Sequence, residues 1–301
     1  MVGRMPTCRC LRTPMARAFA LVLPLALGAC ANRAEPRPDP AAASLSSGVS
    51  DATTAAKLQA ALAGPHRDEA HRARDKYRHP LETLGFFGLR DDMTVVELWP
   101  GGGWYTEVLA PVLKQRGHLV VTSFDPKGPA DSYETEQAKD MNELLTKNAA
   151  LFGTVTVAVV KPPEKLDLGP PGSADLVLTF RNLHNWIADG KFADKVLLAA
   201  YQVLKPGGVL GVVEHRAKPG QSIDSGYVEE AVAIKLCEDA GFKLVAKSEI
   251  NANPKDTKDY PEGVWTLPPS LALKDKDRDK YLAIGESDRM TLRFVKPGAQ
   301  P

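Results

Sequence analysis

The sequence has little cysteine, with four residues in 301, three of which lie within the first 30. Cys237 alone falls in the rest of the chain, inside the apolar-periodic segment 228–240, where we expect an inert core thiol. One cysteine can neither close an internal disulfide nor supply the several thiolates of a cysteine metal site. A disulfide scaffold and a cysteine-based metal centre are therefore excluded beyond residue 30, and no metal site is predicted.

A dominant charge of either sign is also absent, because 38 Lys and Arg residues nearly balance 37 Asp and Glu residues, for a formal net charge of +1. This balance gives no strong attraction to nucleic acid or to an anionic membrane surface, and no nucleic-acid partner is expected. With 44% hydrophobic and 25% charged residues, the composition is that of an ordinary globular protein. The length permits one large domain or two small ones.

A long hydrophobic run is missing from the N-terminus as well. The apolar run 18–27 is shorter than the roughly 20 residues that a membrane-spanning helix needs. A basic segment at 15–17 precedes it, and small residues follow directly before Cys30, which is the layout of a secretory signal. The stretch resembles the bacterial lipobox, and an ordinary signal peptide is the alternative. The lipobox implies lipidation of Cys30, which would hold the protein on the membrane, facing the periplasm of the bacterial envelope. Ala31 favours the outer membrane by the same resemblance.

The remaining chain divides by composition. Residues 31–55 are rich in Ala, Pro and Ser without periodicity and are predicted to be a disordered tether. Residues 56–90 are predicted to form N-terminal helices, including a charged helical stretch at 54–78 that Pro80 would end. From residue 91 to 301, short apolar runs alternate with helical segments, which predicts one doubly wound α/β domain with a parallel sheet. Strands are predicted at 94–98, 119–124, 155–160, 175–180, 209–214, 243–250 and 290–296, and 205–208 is predicted to be a turn.

The stretch VVELWPGGGWY at 95–105 has the layout of a strand, a glycine loop and the start of a helix. Backbone amides at such a helix N-terminus can face a ligand. The loop lacks the third glycine of the nicotinamide fingerprint G-x-G-x-x-G, and it lacks the lysine of a P-loop. A nicotinamide oxidoreductase and a P-loop nucleotide enzyme are therefore disfavoured. A tight turn without a ligand remains an alternative interpretation.

This segment resembles motif I of class I S-adenosylmethionine-dependent methyltransferases. The resemblance assigns Glu97 to the acidic position of the motif, and Gly101 and Gly103 to its last two glycine positions. It places Asp125, at the end of the next strand, on the ribose hydroxyls of the cofactor, S-adenosylmethionine. A carboxylate suits that task because its two oxygens accept from both hydroxyls. The alternative for Asp125 is a turn residue ahead of a proline.

A second stretch, RNLHNW at 181–186, followed by LKPGG at 204–208, resembles the corresponding region of small-molecule O-methyltransferases. The resemblance implies that His184 removes the proton of the acceptor hydroxyl, with His215 as a second catalytic candidate and Asn182 at the cofactor. Histidine exchanges its proton near neutral pH, which suits a general base. The alternative is that His184 caps or packs the following helix. Asn185 departs from the family pattern, where an aspartate is usual.

Further polar and aromatic residues fall in loops at the expected ligand edge of the sheet. Arg289 is predicted either to bind an anionic substrate or to pair with Asp288. Trp265 lies in the Pro- and Asp-rich insertion between the last two predicted strands, and it is predicted either to line a pocket or to hold this insertion against the sheet. The residues predicted for the substrate pocket are Arg181, Trp186, Arg216, Trp265 and Arg289.

The resemblance covers residues 75 to 297 and is closest to bacterial exported methyltransferases that carry ELWPGGGWY and IGESDRM. It implies a Rossmann-like, seven-stranded, mostly parallel sheet with the last strand antiparallel, and methyl transfer to a small-molecule acceptor. Two departures favour the alternative of a catalytically degenerate binding protein of the envelope. Trp99 replaces the first glycine of motif I, and the third predicted strand ends without an acidic residue, Glu164 being the nearest.

Overall fold

A computed structural model describes residues 51–188 and 191–298. The predicted signal peptide, the lipidation site Cys30 and the tether up to residue 50 lie outside the described residues. The tether ends earlier than predicted, because Asp51 caps a helix that begins at Ala52, with its carboxylate accepting from the Thr54 amide at 2.9 Å. Within 51–188 and 191–298, no helix combines the length and the apolar character needed to cross a membrane.

Seven strands form a single sheet in the order β3-β2-β1-β4-β5-β7-β6. All neighbouring pairs are parallel except those of β7, which runs antiparallel to both β5 and β6. The prediction of a seven-stranded, mostly parallel sheet with an antiparallel last strand is confirmed. The strands are β1 (Thr94–Leu98), β2 (His118–Ser123), β3 (Val155–Val159), β4 (Ala174–Phe180), β5 (Leu204–His215), β6 (Lys243–Ser248) and β7 (Arg289–Val295).

Helices cover both faces of the sheet. The described helices are α1 (Ala52–Leu62), α2 (Glu69–Arg72), α3 (Asp75–Arg78), α4 (Pro80–Phe86), α5 (Thr106–Leu113), α6 (Tyr133–Lys147), α7 (Ala149–Phe152), α8 (Leu183–Ala188), α9 (Ala193–Val203), α10 (Glu230–Asp239) and α11 (Arg278–Ile284). Successive strand residues point to opposite faces, so Val95 joins the core layer that contains Leu58 of α1 while Val96 joins the layer that contains Leu197 of α9. The sheet is thus buried on both sides, as a doubly wound fold requires.

Two local predictions differ from the structure, and one further segment contains elements that were not predicted. The predicted helix at 54–78 is interrupted after Leu62, where Gly64 and Pro65 disfavour helix. The predicted turn 205–208 lies inside the 12-residue strand β5, where the Gly207 amide donates to the Lys296 carbonyl at 2.8 Å. The insertion after β6 contains helix α11 and a short 3-10 helix, Gly263–Thr266, which sequence periodicity did not reveal.

The strand order reverses at the boundary between β1 and β4, since β2 and β3 lie on one side and β5 on the other. In open α/β sheets, the crevice at the carboxyl edge of such a boundary is where ligands bind. Trp99 and the predicted site residues Arg181 and His215 follow or end β1, β4 and β5, and they therefore meet at this edge.

Candidate functional site

Two adjoining cavities open at the carboxyl edge of the sheet. The larger has a volume of about 1090 Å³ and the smaller about 350 Å³. Seven residues line both of them: Trp99, Pro100, Gly101, Tyr133, Asn182, Asn185 and Trp265. Among these, Tyr133 is 68% exposed and Trp265 40% exposed, so aromatic side chains flank the opening to solvent. The volumes are those of small-molecule sites.

The larger cavity lies over the ends of β2 and β3 and the start of α6. Asp125 lines it, as the sequence predicts for a cofactor carboxylate, and one of its oxygens also accepts from the Lys127 amide at 2.8 Å. Asp125 is therefore a turn residue whose side chain also lines the cavity. Glu164 does not line the cavity, whereas Glu134 of α6 does, and Glu134 is not among the predicted site residues.

The two predicted glycines of the loop after β1 have different surroundings. Gly101 lines both cavities with φ +58°, and a Cβ built on it would meet no atom within 4 Å, so its backbone is open to a ligand. Gly103 lines neither cavity. Its φ is +78°, its amide donates to the Pro100 carbonyl, and a Cβ would lie 2.2 Å from the Leu144 side chain. The structure therefore assigns Gly103 to the turn and its packing against α6.

Trp99 forms part of the wall between the cavities. Its amide donates to Thr122 Oγ1 at 2.8 Å, and its backbone has a left-handed φ of +44°. The ring contacts the rings of Trp186, at 5.1 Å between centroids, and Phe124, at 6.4 Å. Such a backbone conformation costs a non-glycine residue of the order of 1–3 kcal/mol and is concentrated at ligand sites. The indole is thus partly anchored in the core and partly presented to both cavities.

Asn182 holds the ends of β1 and β4 together. Its side-chain amide donates to the carbonyls of Leu98, at 3.0 Å, and Trp99, at 3.3 Å, and to Thr179 Oγ1 at 3.2 Å. It lines both cavities, beside the glycine loop that follows β1. These contacts fix the shape of the loop.

His184 lies in the smaller cavity, at the start of α8, and is 6% exposed. Its Nδ1 is 2.9 Å from Oε1 of Glu214, the penultimate residue of β5. That carboxylate also accepts from the amides of Leu183 at 2.7 Å and His215 at 2.8 Å. Because the carboxylate oxygen accepts in this bond, Nδ1–H of His184 is the donor. Nε2 is then the ring nitrogen that remains to accept a proton from a ligand.

His215 lies beside this pair, with its ring 5.2 Å from that of His184. Its Nδ1 is 2.5 Å from Ser287 Oγ, and it also lines the smaller cavity. Burial, followed by the nearby His184, holds the pKa of His215 well below its ordinary value. His215 is therefore neutral at physiological pH and suited to hydrogen bonding.

One ligand atom from each of His184, Glu214 and His215 can be chosen so that all three lie within 4.8 Å of one another. These three are the one group in residues 51–188 and 191–298 with the composition of a metal site. Both Glu214 oxygens already accept hydrogen bonds from amides or from His184. A cation would have to displace these bonds, so the arrangement suits a positioned histidine better than a metal centre.

Glu97 is 1% exposed at the end of β1 and lines the smaller cavity. Burial raises the pKa of its carboxyl to about 7, although the Thr106 hydroxyl, donating at 2.7 Å, acts in the opposite direction. The carboxyl group is consequently divided between protonated and ionised forms near neutral pH. Because Thr106 is the first residue of α5, the Glu97 carboxyl group lies against the first turn of that helix.

Of the five predicted pocket residues, three line a cavity and two line neither. Arg181 and Trp265 line the smaller cavity, and the Trp265 ring lies 6.1 Å from that of His184. Trp186 is 2% exposed and lines only the larger cavity, as part of the core beneath it. Arg216 lines neither cavity, because its guanidinium pairs with Asp288, Glu249 and Glu230 on the far side of β5.

Arg289, the fifth, is 1% exposed and lines neither cavity. Its guanidinium pairs with Glu286 at 3.1 Å and donates to the Tyr77 carbonyl at 2.6 Å. The predicted structural ion pair is therefore present with a different partner, since Asp288 pairs with Arg216 instead. The prediction that Arg216 and Arg289 line the substrate pocket is therefore corrected, because their side chains form ion pairs with carboxylates within the protein.

Several lining residues of the smaller cavity were not predicted from the sequence. They come from the N-terminal helices and from the segment before β7, and the titratable ones are His71, Arg74, Arg78 and Glu286. The sequence signal available for one of them was that Glu286 stands in IGESDRM, a stretch that resembles the exported methyltransferases. Nothing in their local pattern indicated that they meet.

No protein-family model matches this sequence, and no curated protein matches it in sequence. Among solved structures, the chain is similar to the cyclase SpnF, with a TM-score of 0.51 and 15% identity over 82% of this chain and 94% of that one. It is also similar to a protein from Galdieria sulphuraria described as a sarcosine dimethylglycine methyltransferase, with a TM-score of 0.50 and 14% identity over 76% of this chain and 88% of that one. Together with the strand order and the antiparallel β7, these similarities show that the chain has the α/β fold of the class I methyltransferases.

Proposed function

We propose that this protein transfers a methyl group from S-adenosylmethionine to a small-molecule acceptor. The observation that carries the proposal is the pair of adjoining cavities at the switch between β1 and β4. One of them is bordered by the open glycine loop and Asp125, and the other holds the His184–Glu214 pair. The fold alone does not decide the chemistry, since similar structures include both a cyclase and a methyltransferase.

The larger cavity fits the cofactor. Its volume of about 1090 Å³ exceeds that of the smaller cavity threefold, and Gly101 offers backbone without an obstructing side chain. Asp125 would accept from the ribose hydroxyls, with its second oxygen keeping the bond to the Lys127 amide. When bound, S-adenosylmethionine supplies an electrophilic methyl group on a sulfonium, and this group would be directed toward the smaller cavity past Trp99.

The smaller cavity fits the acceptor. His184 Nε2 would accept the proton of the acceptor hydroxyl as its oxygen gains the methyl group, while Glu214 stabilises the resulting positive imidazolium through Nδ1–H. The acceptor oxygen thus exchanges an O–H bond for an O–CH₃ bond, and the sulfonium becomes a neutral thioether. Holding the two reactants in line supplies much of the rate enhancement in a displacement of this type.

Titration calorimetry of the purified full chain with S-adenosylmethionine and with S-adenosylhomocysteine tests the proposal first. Micromolar dissociation constants, about −8 kcal/mol, are expected for both. An acceptor screen that detects S-adenosylhomocysteine formation then follows. The absence of binding at millimolar cofactor would contradict methyl transfer and favour a binding protein that has this fold without the chemistry.

We further propose that the protein is held on the periplasmic face of the bacterial envelope by lipidation of Cys30. The small residues before Cys30 and the short apolar run support this. A Cys30→Ser variant is expected to move from the membrane fraction to the soluble fraction and to lose incorporation of labelled fatty acid. Cys237→Ser is the matched control, because that thiol is buried in the folded domain and should leave both properties unchanged.

A further inference from the structure

Arginine side chains gather around one side of the smaller cavity. Arg74 and Arg78 reach it from the N-terminal helical segment, and Arg181 reaches it from the position directly after β4. Arg289 stands behind them, outside the lining. Arg181 has a left-handed φ of +61°, and its amide donates to the Val213 carbonyl at 2.7 Å. A strained backbone fixes this residue at the junction of β4 and α8, next to the base candidate.

The carboxylates in the lining do not balance these guanidinium groups. Glu286 alone pairs with three of them: Arg74 at 2.6 Å, Arg289 at 3.1 Å and Arg78 at 3.4 Å. Although burial alone would raise the pKa of Glu286, the surrounding arginines, Arg289 first, lower it to about 2, so this carboxylate is fully ionised. Within 51–188 and 191–298, Arg181 has no carboxylate within 4.0 Å. The cavity therefore carries an excess of positive charge.

Two hydrogen-bond donors of this cluster are buried without a partner. They are Nη1 of Arg78 and Nη1 of Arg181. Arg78 is 2% exposed, and its guanidinium lies over the Trp104 ring at 4.6 Å from the centroid, which fixes its orientation. A buried, charged donor that lacks an acceptor is costly to a protein, and such groups are normally satisfied. In a ligand cavity, the group that satisfies them is expected to be part of the ligand.

The electrostatics agree with the geometry. Burial, followed by the charge of Arg181, holds the pKa of Arg78 well below its ordinary value. Burial, followed by Arg289, lowers the pKa of Arg181 to about 10. At this value Arg181 stays protonated at neutral pH, and the surroundings of both guanidiniums disfavour their charge. An anion placed between them would relieve that cost, because it restores both the hydrogen bonds and the charge balance.

We infer that the acceptor bound in the smaller cavity is an organic anion, a carboxylate or a phosphate monoester, whose anionic group lies against Arg78 and Arg181. This inference rests on the proposed function for the part that calls the ligand a methyl acceptor. The anionic group would orient the molecule so that a hydroxyl elsewhere on it faces His184 Nε2. A cavity of about 350 Å³ limits the ligand to a small molecule, and the aromatic Trp104 and Trp265 offer it apolar walls.

The test compares matched probes on the purified full chain by titration calorimetry. Benzoate and phenyl phosphate are the anionic probes, and benzamide is the neutral probe of similar shape. Benzoate or phenyl phosphate is expected to bind roughly 10- to 100-fold more tightly than benzamide, the range of a charged hydrogen-bonding pair. Arg181→Gln is expected to abolish this preference, and Arg181→Lys to restore part of it. Arg278→Gln, an exposed arginine of α11, is the control and should leave the preference intact.

Binding of S-adenosylhomocysteine by the same samples separates this inference from the proposed function and also reports correct folding. Equal affinities of the wild-type chain for benzoate, phenyl phosphate and benzamide would overturn the anion site, while cofactor binding would leave methyl transfer standing. A preference for anions without cofactor binding would uphold the anion site and contradict methyl transfer. A preference that survives in folded Arg181→Gln and Arg78→Gln would place the anion elsewhere and overturn the assignment to these two residues.

Discussion

Nδ1 of His184 lies 2.9 Å from Oε1 of Glu214, and the amide of Leu183 donates to Oε2 of the same carboxylate. The first turn of α8 is in this way tied to the end of β5, with His184 and Glu214 30 positions apart in the chain. The carboxylate determines which ring nitrogen carries the proton, so Nε2 is available for a ligand. The interaction thus joins the segment that follows β4 to the end of the neighbouring strand β5, beside the smaller cavity.

Replacing His184 by Ala should reduce turnover by roughly 10²–10⁴-fold, because it removes the proposed general base. The dissociation constant of S-adenosylhomocysteine should change little, since His184 does not line the larger cavity. Formation of S-adenosylhomocysteine with an acceptor found by screening measures the first, and calorimetry the second. His118→Ala is the control, because His118 begins β2 at the opposite edge of the sheet. Unchanged turnover in His184→Ala would contradict the assignment of His184 as the general base.

Replacing Asp125 by Asn should weaken cofactor binding about 10- to 100-fold, because a charged acceptor of the ribose hydroxyls is lost. The side-chain oxygen of Asn can still accept from the Lys127 amide, so the turn should persist and stability should change little. Calorimetry with S-adenosylhomocysteine measures the affinity, and thermal unfolding checks the fold. Asp140→Asn, on the exposed face of α6, is the matched control. An affinity equal to wild type would confine Asp125 to its role in the turn.

Trp99→Gly distinguishes an enzyme from a binding protein in which the indole occupies the path of the cofactor. Glycine adopts the φ of +44° without strain, which offsets about 1 kcal/mol of the lost contacts with Trp186 and Phe124. We expect weaker or unchanged affinity for S-adenosylmethionine, because the indole forms a wall shared by both cavities. Measured dissociation constants decide the question. A clear gain in affinity for the cofactor would identify Trp99 as a blocking residue and favour the degenerate binding protein.

Glu97 should make the folded protein less stable as pH rises. Its pKa is raised from 4.5 to about 7 by burial, so the folded state holds the proton more tightly than the unfolded state. The stabilising contribution is fully present below pH 4.5 and is lost as pH rises through 7, amounting to about 3 kcal/mol in all. Urea unfolding at pH 5 and pH 8 measures it.

The variant Glu97→Gln carries no titrating group at this position and should show a correspondingly smaller loss of stability between the two pH values. Glu143→Gln, at an exposed position of α6, should retain the pH dependence of the wild-type chain. The attribution to Glu97 fails if the two variants lose the same free energy of unfolding between pH 5 and pH 8.

Local patterns were sufficient to place the strands along the chain, whereas the antiparallel last strand was implied by the family resemblance. The apolar run 94–98 and the glycines after it predict strand β1 and its loop with nearly the observed bounds, because burial on both faces of a parallel strand leaves a continuous apolar signature. Secondary structure was predicted less accurately where hydrogen bonds to distant segments determine the conformation. Residues 205–208 have turn composition, yet hydrogen bonds to the ends of neighbouring strands extend β5 through them, with Leu204 opposite Ala174.

The residues of the candidate site likewise fall into two groups, those that local sequence patterns placed and those that only the packing of distant segments brought together. The sequence by itself placed Glu97 within the last residues of a strand, and Asp125, Asn182 and His184 shortly after strand ends, because each stands at a short distance from the end of an apolar run. Only the tertiary structure decided which charged side chains meet. Arg78 and Glu286 are 208 residues apart in sequence yet share the smaller cavity, while Arg216, next to His215, is drawn away by three carboxylates. Hydrophobic periodicity is a local property of the chain, whereas the pairing of buried charges depends on how distant segments pack, and this is why the first could be predicted and the second could not.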